Sequence, residues 1–298
     1  MEQTKTMKSY TPSEIGRRFL RRIPYGWIVV YAIMILLVIF MALPLIYMVS
    51  TAFKPTDELF LFPPTFLVQK PTIRNFTELF KSVGYGEIPI TRYIFNSLIT
   101  TVTNVTATVF IACMAAYSLE KLRMPGYKLL YRVVVIGLMF VPAVAQIPTY
   151  IVMSQTEMLN TYWALIIPSM AKPMYLFLVK QFMSQFPDSI LESARIDGAG
   201  EFKLFSRVVM PIIKPAWATV VVFAFIENWN NSGSSMIYIT NQTMKTLPYA
   251  LGSIGNGAVG AMGMVSAASL LATAPTIIVY LLMQRQVMNT MAHAGIKG

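Results

Sequence analysis

The strongest constraint in this 298-residue sequence is where its charges are missing. Four stretches carry none at all: Ile23 to Phe53, Tyr93 to Leu119, Val133 to Thr156 and Thr246 to Gln284. Each holds the roughly 20 apolar residues that a helix needs to cross a bilayer, and the last is long enough for a loop and a span. Two further candidates carry internal charges, Thr161 to Met183 with Lys172 near its middle and Lys180 close to its end, and Pro215 to Thr240 with Glu227. A soluble fold is a poor alternative. The chain is 55% apolar or aromatic and 12% charged, against about 25% charged in a typical soluble domain, so too few charges remain to cover such a core.

The expected fold class is therefore all-α, a polytopic membrane protein with six transmembrane helices at about 27–50, 93–119, 130–153, 161–183, 215–240 and 262–285. The basic N-terminal segment is not read as a signal peptide, because its apolar stretch is too long and no small-residue cleavage pattern closes it. Cytoplasmic loops of membrane proteins carry the excess of Lys and Arg. With the N-terminus inside, 17 of the 24 basic residues fall on that face and 6 on the other, leaving Lys172 within a span. Both termini are accordingly expected in the cytoplasm. The domain reading is a tail of 1–26, a membrane domain of 27–286 and a tail of 287–298, with external loops at 51–92 and 241–261 and a cytoplasmic loop at 184–214.

The net charge of +11 is thus a topology signal; no basic stripe with interleaved aromatics suits nucleic acid, and none is expected as a partner. A single cysteine, Cys113, rules out a disulfide within the chain. A single histidine, His293, rules out a multi-histidine metal site.

The cytoplasmic loop is the most patterned. Pro187 and Asp188 open a short helix in which Ser189 and Glu192 stand at capping-box spacing, and Gly198 with Gly200 break it. Phe202, Phe205, Val208 and Val209 then recur at helical spacing on one face, before Pro211 and Pro215. Periodicity alone gives an amphipathic hairpin at the membrane surface. The text is more specific: Glu192-Ser193-Ala194, three residues, Gly198, nine residues, then Val208-Val209-Met210-Pro211. This resembles the EAA loop of ABC importer permeases, whose consensus is Glu-Ala-Ala, Gly, then Ile-x-Leu-Pro; Ser193, Val208 and Met210 are conservative departures.

The resemblance is to the carbohydrate branch of that family, the maltose-type and glycerol-phosphate-type permeases, and runs from about Ser50 onward. Tyr93 to Leu98 with Ala115-Ala116-Tyr117, Ile147-Pro148-Thr149-Tyr150, Asn228-Trp229-Asn230, Thr246-Leu247-Pro248, Gln284-Arg285 and Ala294 to Gly298 carry it. It implies a type I ABC importer permease fold in the bacterial cytoplasmic (inner) membrane. It also implies that the loop helix sits in a cleft of a cytoplasmic ATPase subunit, through Glu192, Ser193, Ala194, Asp197 and Gly198, with Gly295 and Lys297 of the tail reaching toward the same ATPases. A helix cap for Glu192, a helix stop for Gly198 and a frayed terminus for the tail are the plainer readings. The partners implied are a second permease, two ATPase subunits, an external solute-binding protein, a carbohydrate and membrane lipid. This chain binds no cofactor of its own. ATP and Mg belong to the ATPases, since the sequence has no Gly-x-x-x-x-Gly-Lys-Ser/Thr phosphate loop.

Polar groups within the spans are candidates for the pathway. In span two, Asn96, Thr100, Thr103, Asn104, Ala107 and Thr108 form a small polar face suited to interhelical hydrogen bonds, or to substrate. In span five, Glu227, Asn228, Trp229 and Asn230 require a cavity, a partner or a locally broken helix, because lipid would not satisfy them. Asn amides pair with sugar hydroxyls, and Trp229 offers a ring for a sugar's C–H face. Lys172, beside Pro173, has three readings: it meets a carboxylate on an acidic oligosaccharide, it pairs with Glu227, or it snorkels to a surface. Gln146, between Pro142 and Pro148, is a weaker candidate. The external loop at 241–261 suits contact with the binding protein or a plain flexible connector.

The leading reading is a non-enzymatic subunit with no catalytic residue, importing an oligosaccharide that is neutral or acidic. The alternative is a self-contained ion-coupled secondary transporter or channel. That alternative would show internal repeat symmetry, and the two halves of this chain give no convincing match.

Overall fold

A computed structural model describes residues 25–81, 88–255 and 262–295. Among them the chain is helical, with no strand element. Helix α1 covers Tyr25–Phe53, α2 Arg74–Lys81 and α3 Ile90–Tyr117. Beyond a π-helical turn at Ser118–Leu122 come α4, Tyr127–Leu138, and α5, Gln146–Gln155. Then follow α6, Trp163–Met170, α7, Pro173–Met183, and α8, Asp188–Ile196. Last are α9, Lys214–Trp229, α10, Gly233–Tyr238, α11, Leu247–Gly255, and α12, Met262–Gly295.

Three uninterrupted helices are long and apolar enough to cross a membrane: Gly26–Phe53, Ile90–Leu122 and Met262–Met288. They coincide with expected spans one, two and six. The other three expected spans are broken. Span three bends by 102° between Tyr127–Leu138 and Pro142–Gln155. Span four is α6 and α7, parted at Ala171 and Lys172. Span five follows a 78° bend from Glu201–Ile212 and stops at Trp229, short of the expected Thr240.

Two of these breaks have a local cause. The ring of a proline pushes the residue before it out of the helical region, and Val141 and Lys172 are both extended ahead of Pro142 and Pro173. The third falls in the polar run after Glu227, where side chains compete for backbone partners. Helix α12 runs to Gly295, well into the stretch read as a tail; Lys297 lies outside the described residues.

Helix α3 is central and packs against α6, α7 and α9, while α12 packs against α9 and α1. Of the expected polar face of α3, Asn96, Thr100, Asn104 and Thr108 are buried, with Ser97 and Thr101 beside them, whereas Ala107 is half-buried and Thr103 is exposed. Side chains pair the loops that share an end of the bundle. Asn96 Nδ2 donates to the carbonyls of Thr243 and Lys245 at 2.9 and 2.8 Å. Asn160 Oδ1 accepts from the backbone N–H of Thr240 at 2.6 Å. Within the described part of the expected 241–261 loop, residues 241–255, α11 forms and Ser97 Oγ accepts the Leu247 N–H at 2.7 Å, so this part is no plain connector. The 51–81 stretch at the foot of α1 is also compact. Glu58 accepts from the backbone N–H of Gln69 and of Lys70, and Asn75 donates to the carbonyls of Ala52 and Lys54.

Candidate functional site

The three breaks meet. Gly137, in the last turn of α4, faces Pro173 at the start of α7 so closely that an added Cβ would lie 3.0 Å from the Pro173 Cγ. Across the break in span four, the Lys172 ammonium pairs with the Glu227 carboxylate near the end of α9. The second oxygen of Glu227 accepts the Tyr175 hydroxyl at 2.7 Å. An ammonium, a carboxylate and a phenol thus close a neutral cluster where the stretches expected as spans three, four and five lose their helical form. The side chains of Lys172 and Glu227 remain 31% and 47% exposed. Charges exposed at membrane depth need water or another protein beside them, and non-helical backbone has the same requirement. A cavity of about 150 Å³ adjoins Lys172, lined by Ile111, Val134, Met170 and Leu176 among others.

Beneath the cluster lies an amide network. Asn228 Nδ2 donates to Asn104 Oδ1 and to the Ala224 carbonyl, each at 2.8 Å. Asn104 Nδ2 donates in turn to the Ile166 carbonyl at 2.9 Å and to Ser169 Oγ at 2.7 Å. Asn104, in the middle of that polar face, therefore joins α3, α6 and α9. Trp229 is buried, its indole donating to the Ala272 carbonyl of α12 at 2.7 Å and its ring stacked on Phe225 with centroids 5.5 Å apart. Asn230 is exposed and folds back onto the Ile226 carbonyl at 2.8 Å. Gln146 stands exposed at the first position of α5. Sequence reasoning missed Tyr175; its position one helical turn after Lys172 was the available signal.

The segment between spans four and five is a second candidate site. The expected capping box does not form. Extended Pro187 starts the helix one residue before Ser189, without a side-chain cap, and Asp188 turns to Lys121, 2.6 Å away. At the other end Ala199 N–H donates to the Ala194 carbonyl and Gly198 N–H to the Arg195 carbonyl, each at 3.0 Å. That is the pairing of a Schellman cap, in which the turning residue is left-handed, and Gly198 has φ +78°. Nothing lies within 4 Å of a Cβ placed there, so the turn and not the space requires glycine.

The expected apolar face after the turn is also altered. A π-helical stretch over Leu204–Val209 shifts the register, so that Leu204 and Val209, five apart, are both fully buried while Phe202 is 73% exposed. Ile196 is 87% exposed, and Glu192, Ser193, Asp197 and Gly198 are exposed beside it; Ala194 is half-buried.

This segment is fastened to the end of α3. Lys121 also donates to the Phe186 carbonyl at 2.6 Å, and its ammonium holds the Asp188 carboxyl below the usual carboxylate range. Glu201 accepts the Tyr117 hydroxyl at 2.6 Å and Arg195 Nε at 3.0 Å. Those two donors, Tyr117 first, hold its carboxyl below the usual range. No group of His, Cys, Asp and Glu suited to a metal lies among the described residues.

Residues 108–291, which include the Lys172–Glu227 cluster and the 184–214 segment, match the family described as binding-protein-dependent transport system inner membrane component. The chain belongs to this family. It is a permease, a transport subunit and not an enzyme. The probable ABC transporter permease protein YurM of Bacillus subtilis is 29% identical over 271 residues, which cover 90% of this permease and 88% of the relative. The lactose transport system permease protein LacG of Rhizobium radiobacter is 27% identical over 273 residues, covering 91% and 96%. A crystal structure of a bacterial ABC transporter involved in the import of the acidic polysaccharide alginate shares the fold. It has a TM-score of 0.77 at 20% identity and covers 94% of this permease and 99% of that chain.

Proposed function

We propose that this permease forms half of the translocation pathway of a bacterial ATP-driven importer of oligosaccharides. The observation that carries the reading is the partly exposed Lys172–Glu227 pair at the meeting of three broken helices. Such a surface suits a water-filled path against a second permease and not lipid. The sugar assignment draws on relatives named for lactose and for arabinooligosaccharide transport and on the alginate importer that shares the fold. For an acidic sugar, Lys172 is the cation on offer in the cluster, and Glu227 is its competitor.

The chain crosses the inner membrane six times with both termini in the cytoplasm, spans three to five being the broken ones. The 184–214 segment is the cytoplasmic EAA loop. Ile196 and Phe202 are apolar tips beside Glu192, Ser193, Ala194, Asp197 and Gly198, and together they suit a cleft in an ATPase subunit that carries ATP and Mg. The C-terminal end of α12, with Gly295 and then Lys297, approaches the same ATPases. A solute-binding protein delivers the sugar at the 51–92 and 241–261 end. A known solved relative is in complex with a pentasaccharide-bound periplasmic protein.

Reconstitution tests this. Proteoliposomes holding the permease, its partner permease, two ATPases and the binding protein, given labelled lactose, arabinotriose or an alginate trisaccharide, should take up at least one sugar strictly with internal ATP. Uptake by the chain alone, driven by an ion gradient, would overturn the reading.

A further inference from the structure

The lever at 184–214 leaves along the chain by two broken routes. Toward span four it passes Ser184 to Pro187, and toward span five it passes the 78° bend before Lys214. Beyond the Trp217 indole of α9, which donates to the Met210 carbonyl at 2.9 Å, its side-chain attachments are to the end of α3 and the π-helical turn that continues it, with which it shares no nearby sequence. Tyr117 donates to Glu201 across 84 positions at 2.6 Å. Lys121 reaches both the Phe186 carbonyl and Asp188 at 2.6 Å, and its side chain is only 3% exposed. Glu201 also accepts from Arg195 at 3.0 Å, so one carboxylate spans the Gly198 turn and fixes the angle between its two arms. Phe205 packs against the Tyr117 ring, centroids 5.6 Å apart.

We infer that Tyr117, Lys121 and Glu201 are positioning residues that lock the lever to α3, so that displacement of the lever moves α3 as one body with it. The inference rests on the reading of 184–214 as the ATPase-coupled loop. From Tyr117, α3 runs as unbroken helix to Asn104, about 20 Å at the usual rise per residue. There Asn104 holds Asn228 and Ser169 beside the Lys172–Glu227 cluster. The whole route consists of packed helix and short hydrogen bonds, a physical chain able to carry two discrete arrangements.

The test uses spin labels in the assembled complex with its ATPases and binding protein, compared without nucleotide and after trapping with Mg-ATP and vanadate. Cys113, the sole native cysteine, is fully buried. Labels at Lys203→Cys on the lever and Ile99→Cys on α3 should keep their distance on trapping, while Lys203→Cys and Leu282→Cys on α12 should change theirs. Tyr117→Phe with Glu201→Gln should broaden or shift the lever to α3 distance while the ATPases still co-purify. Tyr117→Phe keeps the ring against Phe205. Should the double variant not insert, Glu201→Gln alone gives the same comparison.

If the lever to α3 distance changes on trapping as much as the lever to α12 distance, or the variants leave it untouched, the lock is wrong while the loop reading stands. If trapping moves neither pair, the ATPase does not drive this loop, and both fail.

Discussion

Asn228 donates to Asn104 Oδ1 at 2.8 Å and so ties α9 to α3 across 124 positions of sequence. Asn104 is 1% exposed and serves three helices at once. Replacing it by alanine takes the acceptor from the buried Thr108 hydroxyl and one partner each from Ser169 and Asn228, which keep the Leu165 and Ala224 carbonyls. Interhelical hydrogen bonds in membranes are worth about 0.6 kcal/mol on average and rarely above about 1.7. These lost partners bring the expected loss for Asn104→Ala to about 1–2 kcal/mol, read as a lowered thermal midpoint in detergent. An unchanged midpoint would mean that the network does not bind these helices together.

The Lys172–Glu227 pair predicts non-additivity. Lys172→Gln leaves Glu227 with Tyr175 alone, and Glu227→Gln leaves an unpaired ammonium at membrane depth. The double variant should be more stable than the sum of the two singles implies. The expected coupling is about 1 kcal/mol, kept small because both side chains are partly exposed. A thermal double-mutant cycle with no coupling would show that the two groups do not pair in the membrane.

At Gly198 the prediction is conformational. A side chain there meets no neighbour, yet φ is +78°, and holding an ordinary residue left-handed costs about 1–2 kcal/mol. Gly198→Ala should therefore loosen the turn and lower transport per ATP, while Gly198→Asn, which tolerates that region better, should be milder. Equal activity of glycine, alanine and asparagine would remove the turn from the coupling account.

Acid should release the lever in a defined direction. A carboxyl held below its unfolded value stabilises the fold fully above that value, and loses the contribution as pH falls through the lowered one. Asp188 and Glu201 are both held low, by Lys121 and by Tyr117 with Arg195. Amide protection of α8 should be flat from neutral pH down to about 5 and fall only below about 4, the ordinary carboxylate range. Lys121→Met should move the loss to higher pH. A loss centred near neutrality would point to other groups.

How far the sequence could be read follows from the range of each signal. Spans one, two and six were legible because an apolar run of bilayer length is self-contained, and α1, α3 and α12 carry it out. The breaks were less so. Pro142 and Pro173 interrupt helices, whereas Pro44, Pro168 and Pro275 lie inside them, so a proline in the sequence does not by itself mark a break. Glu227 was nameable as a partner for Lys172, since two lone opposite charges at membrane depth invite pairing. The lock between Tyr117 and Glu201 was not nameable, because a contact across 84 positions leaves no local trace. Trp229 reads as a sugar platform in sequence, yet its indole reaches Ala272 of α12, a distinction that only packing makes.

Solvent access at the junction tests the central claim most directly. Asn230 is exposed beside the cluster, and Asn230→Cys in the assembled complex can be challenged with a membrane-impermeant thiol reagent, before and after trapping with Mg-ATP and vanadate. An ATP-gated aqueous path predicts labelling by that reagent at a rate that changes on trapping. Labelling only by a lipid-soluble maleimide, at the same rate in both states, would place this surface in lipid and contradict the account.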